Sequence, residues 1–301
     1  MTVLAADGSS FRWSDRPSMA PANPEAEDLS RLIRRGFGMR KYKPRPLPQV
    51  AQQLLEMTTA QDVDFAEVSR VVSQDVGLVA EILRVVNTAV YARGMPIETI
   101  EQAVNRLGFQ ALREVATQAA MKVALPAQPE YATAVQRLTA HSVATGHLTR
   151  LVQGRAAVRV NDAFLAGFFH DLGFIAALTL IADVYGDAPP PLETVWPELD
   201  RIHGQVGWVM AKLWGVPEPI PTIARTHHDG PMTPLMAVVY VADSLATDAG
   251  AGAVERGNER LVSDIDGNRL ADAADVLELS DDKMDELFAM APEAVEKALK
   301  S

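Results

Sequence analysis

The sequence predicts an all-α protein built as two helical subdomains. Apolar residues recur at three- and four-residue steps in most segments between Leu47 and Leu299, and helix caps and stops fall at the ends of those segments. No stretch alternates apolar and polar residues as a half-buried strand would. The clearest change in composition ahead of the chain centre is Pro-Ala-Gln-Pro-Glu at 126–130, which sets the division. Residues 1–46 are then a flexible N-terminal tail and basic linker, 47–125 an N-terminal helical subdomain, and 126–301 a second helical subdomain with the C-terminal helices. A chain of 301 residues with 48% hydrophobic content is long enough to bury a sizeable core.

Residues 1–24 are rich in Ser, Pro, Ala and Gly and carry no apolar period. A short helix over 24–37 leads into Arg34, Arg35, Arg40, Lys41, Lys43 and Arg45. Solvated linker charge is the commoner meaning of such a cluster; a hold for a phosphorylated ligand or an acidic partner is the alternative. Pro48 suits a first helical turn, and Asp64 with Glu67 resembles a capping box. Asp75 precedes a helix with Val79, Ile82, Leu83, Val86 and Val90 on one face and Asn87 inside it. A further stripe, Ile97, Ile100, Val104 and Leu107, ends at Gly108, and helix resumes from Leu112 to Ala124 before Pro126.

Beyond 130, a helix carries Ala134, Leu138, His141, Thr145, Leu148 and Val152 in register, placing His141 on the buried stripe and His147 on the surface. In Asn161–Phe174, Asn161 or Asp162 caps an apolar helix over 163–169 and Gly173 supplies the left-handed turn that ends it. His170 and Asp171 stand at the end of that core element. The Pro-rich run 187–192 is a surface loop. A helix over 197–214 turns Leu199, Ile202, Val206, Met210 and Leu213 inward, with His203 bordering that face. Gly204 and Gly207 cost roughly 1 kcal/mol each in helix propensity, which predicts a neighbouring backbone packed close. Ile220, Ile223, Ala224 and His227 then align, followed by His228, and an apolar helix over 233–246 is interrupted by Asp243. Two short acidic helices follow at about 270–278 and 281–299, the second capped by Ser280.

Bulk properties narrow the function. A net charge of −11 repels phosphate backbones and disfavours non-specific nucleic-acid binding. The absence of cysteine excludes disulfides and thiolate metal sites. No leader-like N-terminus and no run of 18 apolar residues are found, so the sequence predicts a cytoplasmic protein without a membrane partner.

His141, His170, Asp171, His203, His227, His228 and Asp243 are the candidate site. Five of the six histidines and two carboxylates fall on or beside apolar helix faces. A buried carboxylate needs a cation or several donors to offset its lost hydration. Two arrangements satisfy that: one or two divalent ions (Mn, Fe, Zn or Mg), or a metal-free network in which imidazole and carboxylate bond one another.

The order His141, His170-Asp171, Asp243 resembles the signature of the HD superfamily of metal-dependent phosphohydrolases. Leu47-Pro48, Asp75 before a Val/Leu-rich helix, Asn87-Thr88-Ala89 followed by Tyr91, and Ile97 through Leu107-Gly108 are similar to its HDOD branch, the HD-related output domains. The resemblance implies an all-helical domain, with an HD-like helical bundle over 126–301, serving bacterial signalling and regulation. It implies a non-catalytic module that binds a signalling protein or small ligand; the alternatives are a metal-dependent phosphohydrolase acting on a nucleotide or phosphoester, and a purely structural scaffold. Two departures from the HD-GYP branch, which hydrolyses cyclic di-GMP, favour the first: Phe174 stands where that branch has lysine, and Asp229-Gly230-Pro231-Met232 follows His227-His228 without a Gly-Tyr-Pro motif.

Overall fold

The computed structural model describes residues 2–4, 10–12, 31, 33, 46–56, 65–88, 91, 94–125, 129–186, 188–251, 254–256, 259–261 and 265–300. The basic cluster Arg34, Arg35, Arg40, Lys41, Lys43 and Arg45 lies outside them, as do Asp64 and residues 126–128. Of the helix expected over 24–37, Arg31 and Ile33 are described; both are helical and Ile33 is buried.

The fold is all-α. Among the described residues β-structure is limited to two antiparallel pairs of three-residue strands, Thr2–Leu4 with Ser10–Arg12 and Val254–Arg256 with Glu259–Leu261. Helices α1 (Gln49–Glu56), α2 (Phe65–Val72) and α3 (Val76–Val86) pack on the long α4 (Ile100–Ala124). Asp75 caps α3 by accepting from Leu78 N at 3.0 Å, as its position predicts. Thr99 and Gln102 close a capping box at α4. Asn87 lies at the C-cap of α3 rather than within it. Its amide donates to the carbonyls of Leu83 and Ile97 and accepts from Ile97 N, all at 2.8 Å, tying α3 to the lead-in of α4. The expected break at Gly108 is a kink inside α4, where the residue takes φ 79°.

The remainder surrounds α5 (Ala132–Arg155), which follows a 3-10 turn at Pro129–Tyr131. Packed on it are α6 (Ala163–Phe169), α10 (Pro234–Ala246) and α12 (Asp281–Leu299). Helix α7 (Leu172–Tyr185) lies on α8 (Leu192–Leu213), α8 on α9 (Ile220–Thr226), and α10 on α11 (Gly267–Val276). Buried apolar side chains form one contiguous core from Ile33 to Val295, running across the expected boundary at 126–130.

Several expectations are corrected. Gly173 does not end a helix: α6 stops at Phe169, and Gly173 sits in the first turn of α7, which the periodicity does not predict because its face is apolar all round. An 18-residue window inside residues 163–185 is apolar enough for a membrane span, against the expectation of none; that window is wholly buried inside the fold. Asp162 offers no cap bond to α6, and Ser280 none to α12. Leu213 is 44% exposed rather than inward. His147 is not a surface residue. It packs edge-on against Tyr91 and Phe164, with ring centroids 5.8 and 5.1 Å away, because the turn beyond α3 and helix α6 cover that side of α5. Burial, with the Arg150 charge nearby, pushes its pKa down to about 3.

Candidate metal centre

Five elements deliver the seven predicted residues to one place. His141 comes from the middle of α5, His170 and Asp171 from the two-residue break between α6 and α7, His203 from α8, His227 and His228 from the end of α9, and Asp243 from α10. The approach depends on backbone proximity. A Cβ at Gly173 would lie 1.8 Å from the His203 carbonyl oxygen, and one at Gly204 would lie 2.9 Å from the Arg225 oxygen. Glycine at these positions lets α7 press on α8, and α8 on α9, so that Asp171 reaches both His203 and His227.

The donor atoms form two sets, His141, His170 and Asp243 on one side and His203, His227 and His228 on the other, with Asp171 between. Asp171 Oδ2 lies 3.3 Å from His170 Nε2 and 3.7 Å from His141 Nε2. Its Oδ1 lies 3.3 Å from His227 Nε2 and 3.6 Å from His203 Nε2. Asp243 Oδ1 completes the first set, 3.0 Å from His141 Nε2. His141, His170, Asp171, His203 and His227 are buried; Asp243 is half-buried and His228 exposed.

Backbone carbonyls behind the rings decide what the imidazoles can do. The Nδ1 atoms of His141, His170, His203 and His227 face the carbonyls of Ala251, Gly167, Asp200 and Ala224 at 3.1, 2.7, 2.7 and 3.0 Å. A carbonyl only accepts, so each Nδ1 carries the proton, and the neutral ring presents its Nε2 lone pair inward. Those lone pairs meet: Nε2 to Nε2 is 3.3 Å for His141–His170 and 3.2 Å for His203–His227. Two neutral acceptors at that distance repel one another. A cation between them removes the conflict, and neighbouring ligands bound at about 2.1 Å to one ion do lie about 3 Å apart. The residues present therefore fit divalent metal.

Protonation is the metal-free way out, and the field is graded for it. Burial opposes charge on His170, but Asp171 and Asp243 outweigh it and hold its pKa up at about 9. Burial instead dominates at His203, with His227 and His228 adding to it against Asp171, and brings it down to about 3. Burial also opposes ionisation of Asp171 and Asp243; the imidazoles around them prevail, holding both carboxyls below the usual range, Asp171 well below.

Phe174 explains the missing lysine in structural terms. Its ring is buried and stacked between Trp196, with centroids 4.9 Å apart, and His203, 4.0 Å apart at 12°. A cavity of about 110 Å³ reaches His170, His227, His228 and Asp243, and its rim includes Tyr240 and Arg269. The sequence signal for the donors did not extend to that rim. Also unforeseen are two ion pairs joining α4 to the rest of the fold, Arg113 to Asp162 and Glu114 to Arg150.

Known proteins agree with this architecture. The profile of the HDOD domain family matches residues 45–230. A protein of Treponema pallidum (strain Nichols) is 26% identical over 205 residues; the match spans 62% of this chain and 39% of that protein. An HDOD domain protein of unknown function from Geobacter sulfurreducens superposes with a TM-score of 0.65 at 21% identity, covering 90% of this chain and 98% of its own. A Shewanella amazonensis SB2B protein named as a metal-dependent phosphohydrolase gives 0.65 at 22% identity, over 91% and 98%. A Marinobacter aquaeolei VT8 protein named for signal transduction gives 0.62 at 19%, over 97% and 69%. At these identities the structural likeness establishes the fold. With more than half of its length matched by the family profile and the ordered His/Asp set gathered at one place, this chain belongs to the HDOD domain family.

Proposed function

We propose that the protein is a bacterial signalling module of the HDOD type that holds divalent metal in its HD-like bundle and uses that centre to bind a small ligand or partner without turning it over. The carrying observation is Asp171, whose two oxygens face separate imidazole sets. His141, His170 and Asp243 with Asp171 Oδ2 would hold one ion, and His203, His227 and His228 with Oδ1 the other. Five imidazoles favour Mn, Fe or Zn over Mg, which prefers oxygen ligands. When bound, such ions neutralise the buried carboxylates and polarise an anionic ligand. The backbone carbonyls at 167, 200, 224 and 251 fix the imidazole tautomers, and α10 carries Asp243 to the open side. Phe174 argues against catalysis on cyclic dinucleotides, because the phosphate-neutralising position is filled by a ring stacked beneath a donor.

Phosphoester hydrolysis is the second reading, favoured by a complete donor set open to a cavity. The test is incubation of protein loaded with Mn or Fe with cyclic dinucleotides and nucleoside phosphates. No turnover is expected. Sustained hydrolysis that is lost in both His170→Ala and Asp171→Ala would overturn the non-catalytic reading.

A further inference from the structure

Among the described residues, the cavity beside the donor cluster is lined by a single cationic side chain other than histidine, Arg269. It comes from the first turn of α11, beyond the family-matched residues 45–230. Its guanidinium carbon lies 5.4 Å from the centroid of the Tyr240 ring, and Nη2 donates to the Gly230 carbonyl at 3.2 Å. The Tyr240 hydroxyl anchors this turn by donating to the Asp266 carbonyl and accepting from Asp266 N, at 3.3 and 3.2 Å. Asp266 also lines the cavity, but its carboxylate accepts from the backbone N–H groups of Asn268 and Arg269 as the cap of α11. Arg269 Nε is buried and has no hydrogen-bond partner among the described residues. A guanidinium offers five N–H donors in a planar fork; here Nη2 is spent on Gly230, Nε is closed off from the cavity, and the rest of the fork is left to face it.

We infer that Arg269 anchors a phosphoryl oxyanion whose other oxygens face the metal centre, supplying from α11 the cation that position 174 does not provide. This rests on the reading that the His/Asp donors hold metal. With Asp171 and Asp243 neutralised by ions, the cavity has a positive floor and a positive rim, and a tetrahedral anion can take one oxygen to each. The occupant is free phosphate or the phosphate of a small ester.

Calorimetric titration of the metal-loaded full chain tests this with inorganic phosphate and with a nucleoside 5′-monophosphate, for the wild type, Arg269→Ala and Arg269→Lys. Charge-assisted bonds of this kind support an expected loss of at least about tenfold in affinity for Arg269→Ala, with partial recovery in Arg269→Lys. Tighter binding of the ester than of phosphate assigns the site to a phosphoester, and the reverse assigns it to the free anion. Metal content measured on the same samples separates the two claims. If the wild type carries metal and takes neither probe, or if affinity ignores Arg269 while metal content is unchanged, the anchor is overturned and the metal centre stands. A wild type that takes up no metal overturns the centre, and the anchor that rests on it falls with it.

Discussion

Gly173→Ala separates the packing that builds the donor cluster from the donors themselves. The added Cβ would meet His203 O at 1.8 Å, His203 C at 2.6 Å and Gly207 N at 2.7 Å, all backbone atoms. Reaching ordinary contact at 3.4 Å means parting α7 from α8 by about 1.5 Å, which no side-chain rotation can supply. Overpacking costs about 1–3 kcal/mol when side chains yield. Here two helices must yield, so a loss of about 3 kcal/mol or more is expected, roughly 6 °C or more in thermal midpoint. Asp171 and His203 flank this contact, and metal–ligand distances tolerate only about 0.2 Å, so metal affinity should fall by more than stability does. Gly154→Ala, where a Cβ meets nothing within 4 Å, is the matched control and should be neutral or slightly stabilising. Urea unfolding and metal titration on both variants decide the matter. A Gly173→Ala protein with the midpoint and metal affinity of the wild type would refute the packing argument.

Other expectations follow from the buried charges. Asp162→Ala removes the partner of the fully buried Arg113 guanidinium and should cost about 3–5 kcal/mol in urea unfolding; adding Arg113→Met should recover most of it, and no recovery would mean the pair is not the cause. Burial outweighs Arg150 at Glu114 and pushes its pKa up to about 7 from 4.5, so the folded state holds a proton that the unfolded chain releases. This contribution is fully present below about pH 4.5 and is lost as pH rises to about 7, at most about 3 kcal/mol. Relative to wild type, Glu114→Gln should remove that slope; parallel curves would count against it. Metal affinity should fall as pH drops and the imidazoles protonate, so a pH-independent metal titration from 7.5 to 5.5 would exclude histidine ligation.

Helical period and capping residues carried most of the fold in the sequence: Asp75, the break at Gly108 and the inward line of His141 all correspond to local structure. The donors were legible because buried carboxylates and imidazoles are costly wherever they occur, so their residue types alone mark them. What stayed hidden was non-local. Helix α7 has no polar face and hence no period, and Gly173 reads as a stop until His203 is found against it. His147 looked solvated because a helix wheel does not know that Tyr91 lies over it. Arg269 could not be joined to the site because nothing in the 25 residues between Asp243 and Arg269 tells where α11 folds back. Glycines at 204 and 207 were the exception, since their propensity cost predicted the close backbone that α9 and α7 supply.

Elemental analysis of the full chain, purified without an affinity tag or chelator, bears most directly on the metal centre. The arrangement of two donor sets around Asp171 predicts two divalent ions per chain, drawn from Mn, Fe and Zn, with Asp171→Ala losing both and Asp243→Ala losing one. Metal-free protein whose thermal midpoint does not move when Mn, Fe or Zn is added would contradict it, and would leave His170 protonation as the means by which the facing imidazoles are reconciled.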